Sequence, residues 1–548
     1  MLSGRPVERA DPLEDPYIRV IPAGPRPGWK PEQIVRGFLT ASASFERHHA
    51  VARSYISQGK RADWDPARKV VVYDEGPGFT LTSDLTSETA DAVTIEARKV
   101  ATIDEDGQYV AAPRGTRVKR VFHLRKIDGN WRVVDYPQGL LLTTRDLARA
   151  YRTLDLYFFD PSNRILVPNP IYLAVQPRSK LPTALTRALL RGPTDWLAPA
   201  VRSAFPEAVS LRRPVTVSAG IATVDLGGAA YGVAGERLSR LSAQLAWTLT
   251  QLPEIQQVRL EIGGDLVDVP GISSRLQDRD DWYAVRPTGL TTSVKGYLLR
   301  KGKVSVVEDE TVHPAPGPAG AGKVDLTHIA VSLGGKRVAG LSSSGRRLLV
   351  GDLNEDAHFV TPLVGRHLAT PSWDRYGDVW AVASHHGHST VWMLRRGTRP
   401  HEVHAPGLEN HTVQALRVAR DGVRVAVVVA DGDKSRLLLG RIERSSKGTE
   451  IEGLIPLAPE LRHVLDLSWR DADRLLVLNR DENGAVPYLV EVAGSGVQPI
   501  SSVGQMTSIA AAPGAPMLAA LKGHEIWLSR DDLIWQKFHK GTSPAYPG

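Results

Sequence analysis

Cysteine is absent from this chain of 548 residues. That excludes a disulfide framework, a thiolate metal site and a cysteine nucleophile. No run of about 18 apolar residues occurs, so the sequence offers no membrane-spanning helix. The opening residues, MLSGRPVERADPLEDPY, have no apolar core of the secretory kind. Read literally, such a chain stays in the cytoplasm unless its true beginning lies upstream. Aromatic residues make up only 6%, although the 12 Trp are spread along the whole length. Charge is not concentrated either. The 68 basic and 60 acidic residues leave a net +8, but both signs are interspersed and no Lys/Arg block marks a nucleic-acid arm.

What is abundant is punctuation. The 49 Gly and 38 Pro predict frequent turns and few long helices, which leans the chain toward β structure. The length exceeds what one core can use and predicts about three domains. Residues 1–30 carry Pro6, Pro12, Pro16, Pro22, Pro25 and Pro27 and read as an extended tether. Residues 31–145 begin with a helical stripe through Ile34, Phe38 and Ala41, with Phe45, Ala50 and Tyr55 further on. Alternating strands follow, the last two joined at Asp128-Gly129-Asn130. Helices first and a curved antiparallel sheet after them resemble the NTF2-like cone, an α+β fold.

Residues 150–271 read as an α/β sandwich. The strands TLDLYFFD and RILVPNPIYLAV lead into a helix carrying Leu181, Leu185 and Leu189 on one face, ended by Gly192-Pro193. A hairpin turning at Ala219-Gly220 precedes a second amphipathic helix with Leu238, Leu241, Leu245, Leu249 and Leu252. VRLEI then turns at Gly263-Gly264.

From about residue 281 a nine-residue register recurs: VSLGGKRVA, WDRYGDVWA, VARDGVRVA, WRDADRLLV and AAPGAPMLA. The starts at Val331, Trp373, Val418, Trp469 and Ala511 lie 42, 45, 51 and 42 residues apart, the period of a four-stranded propeller blade. Gly335, Gly377 and Gly422 share the fifth place, where the register turns. Residues 281–548 are therefore expected to form an all-β propeller with a Pro/Gly lead-in at 313–323. Five blades are legible and six is the expected count, with KGYLLRKGKVSVVE supplying the sixth or closing the ring.

Candidate chemistry is thin. Gly317, Gly322 and Lys323 fit the G-x-x-x-x-G-K spacing of a phosphate loop. A working loop follows a buried strand, opens a helix and has Ser or Thr after the lysine. Here Val324 replaces the hydroxyl, three prolines precede the motif and LTHIAVSL reads as a strand. No nucleotide binding is expected, and the stretch reads as irregular chain at a seam. His385, His386 and His388 could hold a metal ion, but they fall where a polar blade loop belongs. His48-His49 falls in the first domain's amphipathic helix. Asp65, His123 and Asp135 are conceivable pocket residues for acid–base work in a cone. Trp373 and Trp469 share the first place of the register, which argues for packing between blades instead of a ligand cage. No catalytic, cofactor-binding or metal residues are assigned.

The run ALLRGPTDWLAPAVRSAFP, then VTVSAGIATVDLG, then LSAQLAWTLTQLPEIQQVRLEIGG resembles the GerMN domain. With an NTF2-like domain before it and a propeller ending in GTSPAYPG after it, the chain resembles the actinobacterial lipoprotein LpqB family. The resemblance implies a non-catalytic envelope protein, lipid-anchored on the outer face of the cytoplasmic membrane. It implies a partner, the extracytoplasmic part of an MtrB-type sensor histidine kinase, and a role in cell-wall homeostasis and division. It offers no cofactor and no catalytic residues. This sequence departs from the family at the anchor, having neither signal peptide nor lipobox cysteine, and the expectation is that its start is called too late or that the signal was removed. Other readings are an envelope receptor for a cell-wall glycan or small ligand, using the propeller face or cone pocket, and a propeller or cone hydrolase.

Overall fold

The computed structural model describes all residues except 1–21, 46–47, 86–88, 175–177, 291–293, 447, 483 and 495. Most of the expected tether thus lies outside the described residues. Its described end is tied down where the Tyr55 hydroxyl donates to the Ala23 carbonyl at 2.7 Å. The chain forms two compact units. One comprises the chain up to Val100 together with Gly115–Arg152, the other Ala101–Arg114 with Thr153–Gly548.

In the first unit, helix Pro31–Ser42 starts on a proline, whose fixed φ suits a first turn and whose missing N–H costs nothing there. Ile34, Val35, Phe38, Leu39 and Ala41 form its buried stripe. The sheet runs in the order Asn130–Asp135, Arg117–Ile127, Ala90–Ile103, Val70–Asp74 and Leu140–Thr143, the last pair being parallel. Phe38 fills the space between helix and sheet, its ring centroid 5.2 Å from Trp64 and 6.0 Å from Phe122. The single helical stripe expected through Tyr55 is broken in two. His48 and His49 have φ of 55° and 61°, and a second helix, Ala50–Tyr55, begins after them. Left-handed backbone cannot continue a right-handed helix, so the His pair is a break and not part of a helical face. His49 is buried against Phe45 and Trp64. Burial, aided by the Arg53 charge, lowers its pKa to about 4.

The second unit contains an α/β layer and a ring of blades. Strand Ile221–Gly228 pairs in parallel with Gln257–Ile262, and Val209–Leu211 and Asp265–Leu266 flank them. Helices Leu181–Arg191 and Gly235–Leu249 bury Leu185, Leu189, Leu241 and Leu245 on the same core as Ala222, Val224, Val258 and Leu260. Tyr151–Phe159 and Leu166–Ala174 make a separate two-stranded sheet, and the first of these adds Leu156 and Phe158 to that core. The hairpin Val217-Ser218-Ala219-Gly220-Ile221 turns where expected, with φ of 50° and 75° at Ala219 and Gly220.

The remaining strands build six four-stranded antiparallel sheets. Blade I has Gly296–Arg300, Lys303–Glu308 and Thr311–Pro314, and its inner strand is the chain end, Thr542–Ala545. Blades II to VI begin with Leu326–Val331, Ser372–Trp373, Val413–Val418, Val464–Trp469 and Met506–Ala510. The C-terminal strand therefore closes the ring by pairing with Gly296–Arg300 (Tyr297 opposite Ala545), which removes two exposed edges at once. The six-blade expectation holds, and KGYLLRKGKVSVVE supplies strands of blade I.

The stretch expected to be irregular is not. Gly317–Ala321 is one helical turn linking the outer strand of blade I to the inner strand of blade II, and Gly322 caps it at φ 79°. Gly317 and Gly320 are buried. A Cβ on Gly320 would overlap the Ala315 carbonyl, and one on Gly317 would overlap that of Asn354. Close backbone packing, not freedom, requires these glycines. Gly320→Val should therefore destabilise the full chain by about 2 kcal/mol or more. Lys323→Ala should change stability by less than about 0.5 kcal/mol. Urea unfolding of both variants checks the pair.

Candidate functional site

The inner strands of the blades bring buried and half-buried arginines together, among them Arg417, which joins Thr370 of blade III to Asp466 of blade V, and Arg420. Arg420, just past the first strand of blade IV, is only 6% exposed. Its Nε donates to the Pro547 carbonyl at 2.9 Å, Nη1 to that of Trp469 at 2.9 Å and Nη2 to that of Ala511 at 3.1 Å. One planar fork thus joins blade IV to blades V and VI and to the chain end beside blade I. Burial lowers its pKa to about 10, with Asp471 partly offsetting, so it stays cationic at neutral pH. Beside it, Arg424 donates from Nε to Asp421 Oδ2 at 2.8 Å and stacks 5.4 Å over the Trp469 ring. Arg420, Asp421, Arg424 and Asp471 line a small axial cavity that Pro287 and Thr288 border.

The two register tryptophans act between blades, as their shared place implies. Trp373 Nε1 donates to the Ala330 carbonyl at 3.1 Å, and Trp469 Nε1 to that of Arg417 at 3.0 Å. Each acceptor immediately precedes the register start of the preceding blade. Arg337 and Arg424, both at the seventh place of their registers, lie 5.2 and 5.4 Å over the next blade's Trp ring. Each such contact contributes about 0.5–2 kcal/mol. Serines act similarly: Ser372 and Ser468 Oγ accept from the amides of Val418 and Ala511, both at 3.0 Å.

On the turn side of the register, propeller and α/β layer share buried polar bonds. Asp374 accepts from the amides of Tyr376 (2.9 Å) and Asp378 (3.0 Å), from Trp380 Nε1 (3.0 Å) and from Arg444 Nη2 (2.9 Å). That loop presents Tyr376, whose hydroxyl donates to Asp160 Oδ2 at 2.7 Å. Asp160 is fully buried, which by itself would raise its pKa. Hydrogen bonds from Ser162, Tyr376 and the amides of Arg164 and Ile165 outweigh that cost and keep its pKa low. Trp196 Nε1 donates to the Gly453 carbonyl of blade IV at 2.6 Å, and Val423 inserts into the α/β core. The hairpin over 101–114 joins in. Thr194 donates to Gln108 Oε1 at 3.1 Å, Asp106 accepts from the Asp195 amide at 2.8 Å, and Tyr109 stacks on Tyr172. Asp155 is the discordant member. Burial and the nearby Asp473 raise its pKa to about 7 against the pull of Arg424 and Arg279.

The singled-out residues do not converge. His123 and Asp135 are register partners on neighbouring strands, but both side chains are exposed. Asp65 is exposed as well, its Oδ1 accepting from the Ala67 amide at 3.0 Å. His385 and His388 end the paired strands of a blade III hairpin, with His386 at φ 50° and Gly387 at φ 82° in its turn. The His385 and His386 rings lie 3.9 Å apart, and the described residues contain no group of three or more side chains able to hold a metal. Arg420, Asp374, Tyr376 and Asp160 escaped the sequence reading. The signal for Arg420, Asp374 and Tyr376 is present in RDG and DRYG at the register turns, but one sequence does not say which turns are covered; Asp160 lies outside the register and carries no such signal.

Three family models match in order. The "Lipoprotein LpqB, N-terminal domain" matches residues 24–148, "Sporulation and spore germination" 155–268 and the "Lipoprotein LpqB beta-propeller domain" 302–547. A relative named Lipoprotein LpqB from Thermobifida fusca is 37% identical over 97% of this chain and 93% of its own length. The chain belongs to the lipoprotein LpqB family. Lipoprotein LpqB of Streptomyces coelicolor is 32% identical over 98% of this chain and 93% of its own length. Among solved structures, the first GerMN domain of the sporulation protein GerM from Bacillus subtilis covers 24% of this chain and 98% of its own. Its identity is 22% and its TM-score 0.20.

For this LpqB family member, Arg420→Met would strand three buried carbonyls. It should lower stability by about 3 kcal/mol or more, measured by denaturant unfolding. A second expectation concerns Asp155. Its raised folded-state pKa means the folded chain holds a proton that the unfolded chain has lost. This group therefore costs nothing below about pH 4 and costs progressively more stability as pH rises to about 7. Asp155→Asn should remove that part of the decline, so its stability advantage over wild type should grow between those pH values.

Proposed function

We propose that this chain is a non-catalytic envelope lipoprotein that binds the extracytoplasmic part of an MtrB-type sensor histidine kinase and modulates its output. The observation that supports this best is how its reactive side chains are used. Asp160, Asp374 and Arg420 are saturated by internal partners, whereas the His123–Asp135 pair and the His385 hairpin stand at exposed positions of separate sheets. Such an arrangement supplies rigid faces and no converging acid, base or nucleophile. The naming of its relatives as lipoproteins supports a lipid-anchored envelope protein, which this reading puts on the outer face of the cytoplasmic membrane. Among the described residues no helix is long and apolar enough to cross a membrane. The lipidated protein, solubilised from membranes, should retain the kinase ectodomain on affinity capture, and deletion should alter kinase phosphorylation. No retention together with unchanged phosphorylation would overturn the proposal.

A further inference from the structure

The outward face of the α/β sheet carries a second arrangement that the kinase reading does not use. Along Ile221–Gly228 and Gln257–Ile262, Ala222, Val224, Val258 and Leu260 point to the helices. Alternation sends Thr223, Asp225, Arg259 and Glu261 to the other side. There Asp225, only 3% exposed, accepts from Arg212 Nη1 at 3.2 Å and from the Gly264 amide at 3.0 Å, with Arg213 Nε at 3.4 Å. Glu261, also buried, pairs with Arg213 Nη2. A buried carboxylate is costly, and here two of them hold two exposed guanidinium groups in fixed directions.

Three glycines make room for this surface. A Cβ on Gly227 would lie 2.8 Å from the Arg212 stem, and one on Gly264 would lie 3.2 Å from Arg212 Nη1. On Gly263 a Cβ would sit 2.7 Å from the Tyr231 ring. That ring stands beside the turn and is 65% exposed, which leaves it open to a ligand. Arg259, opposite Thr223 on the same face, has no ion pair among the described residues. The balance of Arg212, Arg213 and Arg259 against Asp225 and Glu261 is one positive charge.

We infer that this face binds a linear phosphodiester-linked glycan or polyol, its backbone stacking on Tyr231 and its phosphates held by Arg212, Arg213 and Arg259. Arg212 and Arg213 bring donors to one anionic group from two residues, as they do at Asp225, and a tetrahedral phosphate accepts donors from such separate directions. Charges repeated along a chain match arginines spread along a sheet, and sugar or polyol C–H groups match an exposed phenol ring.

The test is titration calorimetry of the full chain with synthetic poly(glycerol phosphate), polygalacturonate and neutral dextran. Poly(glycerol phosphate) should bind in a salt-dependent manner and the other two at least about tenfold more weakly. Tyr231→Ser and Arg259→Gln remove no partner of a buried charge, so they should unfold at the wild-type temperature yet bind about tenfold more weakly. Arg212→Gln should weaken binding while Arg213 still covers Asp225. Absence of binding, or equal binding by wild type and the folded variants, overturns the inference. Polygalacturonate binding as tightly as poly(glycerol phosphate) overturns the phosphate assignment. The kinase reading survives either result, since it concerns a different partner.

Discussion

Six blades arranged in a ring must be joined somewhere other than along their sequence, and in this chain the farthest-reaching join is a buried guanidinium. Arg420 reaches carbonyls of blades V and VI and of the chain end from its place in blade IV. It also fastens the chain end just past the closing strand Thr542–Ala545, because Pro547 is one of its three acceptors. Three carbonyls facing a low-dielectric axis would otherwise be unpaired, so the fork satisfies the same groups that it joins. Nothing else in the propeller links so many blades through one side chain among the described residues.

Around that centre, stability is distributed by repetition. An indole N–H to the preceding blade, an arginine over the indole and a serine hydroxyl to the next blade recur at equivalent places. The repetition is incomplete: only blades III and V have a tryptophan at the first place, and between blade VI and blade I the closing strand and Arg420 make the join. The α/β layer uses the same register turns. Tyr376 and Val423 belong to turns that in an isolated propeller would face water, and here they enter or touch the α/β core. The turn glycines Gly377 and Gly422 therefore shape a covered surface, while Asp155 shows that the cover is not electrostatically ideal.

Much of this was legible before any coordinates. Period and turn residues located five blades, the leucine stripes located both helices of the middle domain, and Asp128-Gly129 and Ala219-Gly220 located two hairpins. The failures have common causes. Residues 317–322 were read by composition as irregular, yet their glycines satisfy distances to Ala315 and Asn354 that only folding creates. His48-His49 was read by periodicity as helical, though its backbone turns left-handed between two helices. The arginine face was invisible because Arg212, Arg213, Asp225, Glu261 and Tyr231 are ordinary residues until strand pairing aligns them.

Sequence alone determined the modules, their order and the blade period, since hydrophobic alternation and turn chemistry are local and repeat in register. It also determined that thiol chemistry is impossible. Only tertiary structure decided which strand closes the ring, which arginine ties blade IV to blades V and VI and the chain end, and which register turns are covered by the neighbouring layer. Those choices rest on contacts between residues far apart in the chain, such as Tyr376 with Asp160 and Arg420 with Pro547. No local pattern encodes such a pairing, because each partner alone is compatible with a solvated turn.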